Sequence, residues 1–111
     1  MTFKLRNQLI FIVLFLFSCI NLLAQSNLQN IYGKIQDSES HATLIGAAVV
    51  VLNSSPLIGT TTDLDGYYEL KNVPVGRVDL QISFMGYETK VVDGILLSSG
   101  KAKNIVILLK E

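Results

Sequence analysis

Few residues in this 111-residue chain could do chemistry. Asp63-Leu64-Asp65-Gly66, with Glu69 close behind, has the outline of a cation loop. Calcium asks for roughly six to eight oxygens on a longer, more acidic frame. The segment instead predicts a hairpin turn, in which Asp63 and Asp65 accept backbone N–H bonds and Gly66 adopts a left-handed φ. His41 follows Asp37-Ser38-Glu39-Ser40 in a polar loop. An acid–base pair with Glu39, or a metal site, would need a further ligand, and none is local. Ser54-Ser55 and Ser98-Ser99 lack the base and orienting group that a serine nucleophile requires, and no Gly-x-Ser-x-Gly elbow is present. With one His and one Cys in the whole chain, a zinc site of three or four N/S ligands cannot be assembled. No catalytic, cofactor-binding or metal-ligating residue is therefore expected. Nine Lys and Arg balance nine Asp and Glu, so no basic field for nucleic acid is expected either.

The elements that must position these residues read as strands. Val78, Leu80, Ile82 and Phe84 alternate with Asp79, Gln81 and Ser83, which places the four apolar residues on one buried face. Ile31 and Ile35 share a face in a second alternating run. Ala47 to Leu52 is apolar on both faces and predicts a central strand covered on both sides or nearly so. Tyr68 and Leu70 point inward together, so Tyr67 points outward and is a candidate contact residue. Asn104 to Leu109 predicts a continuous closing strand. Gly59 to Thr62 and Glu88 to Val92 are weaker strands. Asn72 to Gly76, with Pro74 and Gly76, predicts a turn between two strands, and Gly86 marks another. Tyr87, just after it, is expected at a corner with its hydroxyl bonded to backbone, and is a second candidate contact residue. No run longer than ten residues after residue 25 has helical spacing. The sum is seven strands at regular intervals, an all-β domain.

The first two dozen residues differ. Lys4 and Arg6 precede an unbroken apolar run, Leu9 to Phe17, and Ala24-Gln25 closes the segment. Positive start, apolar centre and small residue at a polar boundary predict a secretory signal peptide over 1–24, cut between Ala24 and Gln25. The run is too short for a spanning helix of roughly 20 residues, so no transmembrane span is expected in the mature chain. Leu16-Phe17-Ser18-Cys19 offers a second reading, with Cys19 as a lipidated first residue. Residues 25–29 are expected to be a flexible lead-in and 30–111 the folded domain.

Several fragments resemble one family in order. Ile31-Tyr32-Gly33-Lys34-Ile35-Gln36-Asp37 is similar to the opening strand of the carboxypeptidase regulatory-like domain. Leu44 to Val51, Gly59 to Tyr68, Val73-Pro74-Val75-Gly76 and Phe84-Met85-Gly86-Tyr87-Glu88 resemble its later elements. The resemblance implies a seven-stranded Greek-key sandwich of prealbumin (transthyretin) type. It resembles the version at the N-terminus of TonB-dependent outer-membrane receptors of Bacteroidetes-type bacteria. Carboxypeptidase activity in that family belongs to a separate zinc domain, so the resemblance implies no enzyme here. The chain stops at Lys110-Glu111 with no plug or barrel, and transport of its own is not expected.

The expectation is a non-catalytic exported sandwich in the periplasm or at the periplasmic face of the outer membrane. It would act as a structural or interaction module with an outer-membrane receptor or another envelope protein. A small-ligand carrier, or a stand-alone remnant of a larger receptor, is the alternative. An open sheet edge, with unpaired N–H and C=O groups, is one expected route to a partner.

Overall fold

The structure is a computed structural model that describes residues 2–23 and 27–111. Ala24 and Gln25, the expected cleavage pair, lie outside the described residues, and so does the Cys19 side chain. The apolar N-terminal run lies in one helix, α1 (Thr2–Leu23). Among the described residues no helix is long and apolar enough to cross a membrane.

Eight strands follow: β1 (Leu28–Asp37), β2 (Ala48–Val51), β3 (Gly59–Thr61), β4 (Tyr67–Pro74), β5 (Gly76–Ser83), β6 (Lys90–Leu97), β7 (Lys103–Asn104) and β8 (Ile107–Leu109). They form two sheets. In the first, β4 pairs antiparallel with β1, and both β7 and β8 run parallel to β1 along its other side. The second has the order β3-β2-β5-β6 and is antiparallel throughout. The chain changes sheet after β1, β3, β4 and β6. This is the all-β sandwich expected from the sequence, with β7 and β8 as two halves of its seventh strand.

Period-two alternation supplies the core. Ile31 and Ile35 from β1, Val49 from β2, Leu70 and Val73 from β4, Leu80 and Ile82 from β5, and Ile107 and Leu109 from β8 are all fully buried. Each such aliphatic side chain stabilises the fold by about 1.5–3 kcal/mol relative to exposure. Phe84 lies just beyond the end of β5 and is only partly buried against this core.

Four expectations are corrected. The lead-in is shorter than expected, because β1 already begins at Leu28, paired with Pro74. The outward side chains of β2, Ala48 and Val50, are half-buried rather than covered. Asn72, Val73 and Pro74 belong to β4 rather than to a turn, and Val75 alone links β4 to β5. Asn72 sits at φ 57° in a bulge opposite Asn30, whose Oδ1 accepts its N–H. Pro74 is tolerated because β4 is an edge strand that needs no donor there. Finally, the closing strand breaks at Ile105-Val106. The Ile105 N–H donates to the Tyr32 carbonyl (2.9 Å), while the Ile105 carbonyl turns inward over Gly33 and accepts a bond from the Tyr68 hydroxyl (2.8 Å). A Cβ at position 33 would collide with that carbonyl.

Candidate functional site

The Asp63–Gly66 segment is a turn held by its own side chain. Asp63 Oδ1 accepts the N–H groups of Asp65 and Tyr67, both at 2.9 Å. The Asp63 N–H donates to the Tyr67 carbonyl and the Gly66 N–H to the Asp63 carbonyl. Gly66 has φ 79°, and its carbonyl accepts the Ile35 N–H. The turn joins β3 of one sheet to β4 of the other, so it is a crossover rather than the hairpin that the sequence suggested. Thr62, just before it, is buried: its Oγ1 accepts the Ala47 N–H and donates to the Leu44 carbonyl (2.6 Å).

A second constellation went unread in the sequence. Asp37 ends β1 nearly buried, and its Oδ1 accepts the N–H groups of Glu39 and Ser40. Its Oδ2 accepts the Tyr87 hydroxyl at 2.8 Å. The Ser40 N–H, the Tyr87 hydroxyl and the Glu39 N–H together lower the Asp37 pKa from 3.8 to about 2. Tyr87 is pushed up to about 12, first by that bond to a carboxylate and then by desolvation. Tyr87 does sit at a corner, after Gly86 at φ 87°, but its partner is a side chain rather than backbone. Its ring packs 5.5 Å from that of Phe84. The signal that could have found this pair is the turn-forming Asp37-Ser38-Glu39-Ser40 run, since an Asx turn needs an Asp at its start.

The remaining chemistry-bearing residues serve the backbone. His41 takes a left-handed φ of 60° and its N–H donates to the Asp37 carbonyl. Ser54 Oγ donates to the Val51 carbonyl and accepts the Ile58 N–H. The carbonyls of Ser98 and Ser99 accept bonds from the Gln29 amide. Gly76, at φ 120°, opens β5. Among the described residues no group of three or more His, Cys, Asp and Glu gathers to hold a metal.

What stays free faces outward from the first sheet. Tyr67 and Tyr68 diverge as alternation requires: Tyr68 is buried, and burial raises its pKa, while Tyr67 is half exposed. On the same outer face Tyr32 of β1 stands opposite Glu69, and Lys34 opposite Tyr67. The Lys34 ammonium lies 5.3 Å from the centre of the Tyr67 ring, a cation–π distance.

The sequence model of the CarboxypepD_reg-like domain matches residues 31–111, the whole sandwich apart from the first residues of β1. The chain belongs to that family. Among curated proteins none matches it in sequence. Solved structures similar to this CarboxypepD_reg-like domain share its fold at low identity. One is a type II cohesin–X–dockerin complex from Acetivibrio cellulolyticus, at 20% identity and a TM-score of 0.64, covering 73% of this chain and 56% of that one. Another is the Bacillus anthracis TIE protein, at 20% and 0.59, covering 77% of this chain and 17% of that one. A third is the group B streptococcus pilus 2b backbone protein, at 18% and 0.55, covering 75% and 41%. The domain thus spans about half or less of each of these chains.

Proposed function

We propose that this CarboxypepD_reg-like domain is a non-catalytic, exported sandwich that serves as a structural or protein-interaction module in the cell envelope. Its place is the periplasm or the periplasmic side of the outer membrane, beside a receptor of TonB-dependent uptake. The observation that carries this reading is where the polar side chains go. Asp37, Asp63, Ser54 and Thr62 are engaged in holding loops, which leaves strand edges and one sheet face to meet a partner. β6, the longer edge strand of the second sheet, leaves one side open to a partner's strand on both flanks of a bulge at Asp93-Gly94. Similarity to a cohesin–X–dockerin complex and to a pilus backbone protein supports a module that works by assembly. The basic start and apolar run of α1, ahead of Ala24-Gln25, support export and removal of residues 1–24.

The test is cross-linking in intact cell envelopes with a C-terminally tagged chain, followed by capture. A single outer-membrane receptor at near-equal amounts, cross-linked to β6, is expected. Recovery of no specific protein would overturn the reading. The intact mass of the bait reads its start: Gln25 is expected, and an acylated Cys19 would move the cut to the Ser18–Cys19 bond.

A further inference from the structure

The outer face of β1 and β4 meets edge strand β3 and the Asp63 turn around a cavity of about 440 Å³, open to solvent. Its working lining is Tyr32, Tyr67, Thr60, Thr61, Asp63 and Glu69. The volume lies in the range of small-ligand sites. Tyr32 and Tyr67 are 42% and 53% exposed, which leaves ring surface for stacking on each. They stand diagonally on neighbouring strands, because Tyr32 is opposite Glu69 and Tyr67 opposite Lys34. That places them roughly 7–8 Å apart at the backbone, a spacing that aromatic side chains can bridge.

The charges decide what fits between them. Lys34, over the Tyr67 ring, offsets one of the two carboxylate charges and repels a second cation at that ring. Asp63 and Glu69 repel an anion. Among the described residues nothing pairs with the Glu69 carboxylate, and only Oδ1 of Asp63 is engaged by the turn. The site therefore offers strong acceptors and the hydroxyls of Tyr32, Tyr67, Thr60 and Thr61, which both donate and accept, with two flat rings and the Lys34 ammonium beside Tyr67. A ligand matched to this set is neutral, rich in groups that both donate and accept, and has apolar C–H faces. We infer that this cavity binds a neutral saccharide, with C–H faces on Tyr32 and Tyr67 and hydroxyls on Asp63 and Glu69. The site is separate from the β6 edge proposed for the protein partner, so either can fail without the other.

The experiment is an amide-resolved NMR titration of the purified full chain with cellohexaose, maltohexaose and xylohexaose, each taken to concentrations on the order of 10 mM, where even weak association is visible. Shifts confined to Tyr32, Lys34, Thr60, Asp63, Tyr67 and Glu69 with at least one of them are expected. Tyr67→Ala and Tyr32→Ala should each weaken that binding about tenfold, as truncation of an aromatic anchor does. Tyr67→Phe, which keeps the ring, should retain it. Both tyrosines are on the outer face, and an unchanged thermal midpoint separates lost binding from lost fold. No shifts with any of the three sugars, or shifts elsewhere, would overturn the inference. So would perturbation of the same residues by a neutral Thr-Val peptide and not by the sugars, which would make the cavity part of a peptide-docking edge along β4.

Discussion

The seam between β1 and the closing strand and the turn between β3 and β4 both bend the chain beside a glycine, and they solve that problem differently. At the seam the irregular backbone is buried. The Ile105 carbonyl leaves the ladder, enters the core over Gly33, and is satisfied by a tyrosine hydroxyl from another strand. At the turn the irregular backbone lies at the surface, and Asp63 satisfies it from within the same few residues. Water replaces a lost partner more readily at the exposed turn than at the part-buried seam, where an unpaired polar group keeps more of its desolvation penalty. The buried break therefore depends on distant residues, and the exposed one on local residues.

Gly33→Ala should have the largest effect. Its Cβ meets backbone rather than a movable side chain, so a loss of roughly 3 kcal/mol or more is expected in urea unfolding. A loss no greater than that of Gly66→Ala, which meets the Thr43 side chain at 2.8 Å, would break the comparison. Tyr68→Phe keeps the packing and strands the Ile105 carbonyl, so about 1–3 kcal/mol should go. An unchanged stability would mean that the carbonyl finds another partner. Asp63→Ala should cost only about 0.5–1 kcal/mol, since both N–H groups it frees reach solvent. A larger loss in chemical denaturation would place the turn on the same footing as the seam.

The last effect, which adds a third region and is read through pH, is at the Asp37–Tyr87 corner. The folded pKa of Asp37 is depressed to about 2, so its contribution is full above its ordinary 3.8 and is lost as pH falls through about 2. Tyr87 is raised to about 12, so its contribution is full below 10.0 and is lost as pH rises through about 12. Thermal unfolding followed from acid to alkaline pH should show both limbs. Tyr87→Phe should shrink both limbs, the rest of the alkaline one belonging to buried Tyr68, and two unaltered limbs would deny the bond its role.

Much of the sandwich was legible because burial follows period-two alternation. Val78, Leu80 and Ile82 announce their face, and Tyr67 and Tyr68 part as the pleat demands. The local turn at Asp63 was legible for a similar reason, as its bonds span only a few residues. The β4–β5 link was misread because Pro74 and Gly76 are turn residues in isolation, whereas on an edge strand Pro74 costs no ladder bond. The candidate saccharide cavity was not legible: Tyr32 and Tyr67 are far apart in sequence, and only the antiparallel register of β1 and β4 brings them together. The Asp37–Tyr87 bond, across fifty residues, hid in the same way.

By itself the sequence determined the strand faces and the turn at Asp63, because periodicity and Asx turns are properties of neighbouring residues. Only the tertiary structure decided which strands share a sheet, where the last strand breaks and which side chains converge on the outer face. Those depend on register and sheet crossing, and on the demand that the inward Ile105 carbonyl find a donor, which Tyr68 meets from thirty-seven residues away.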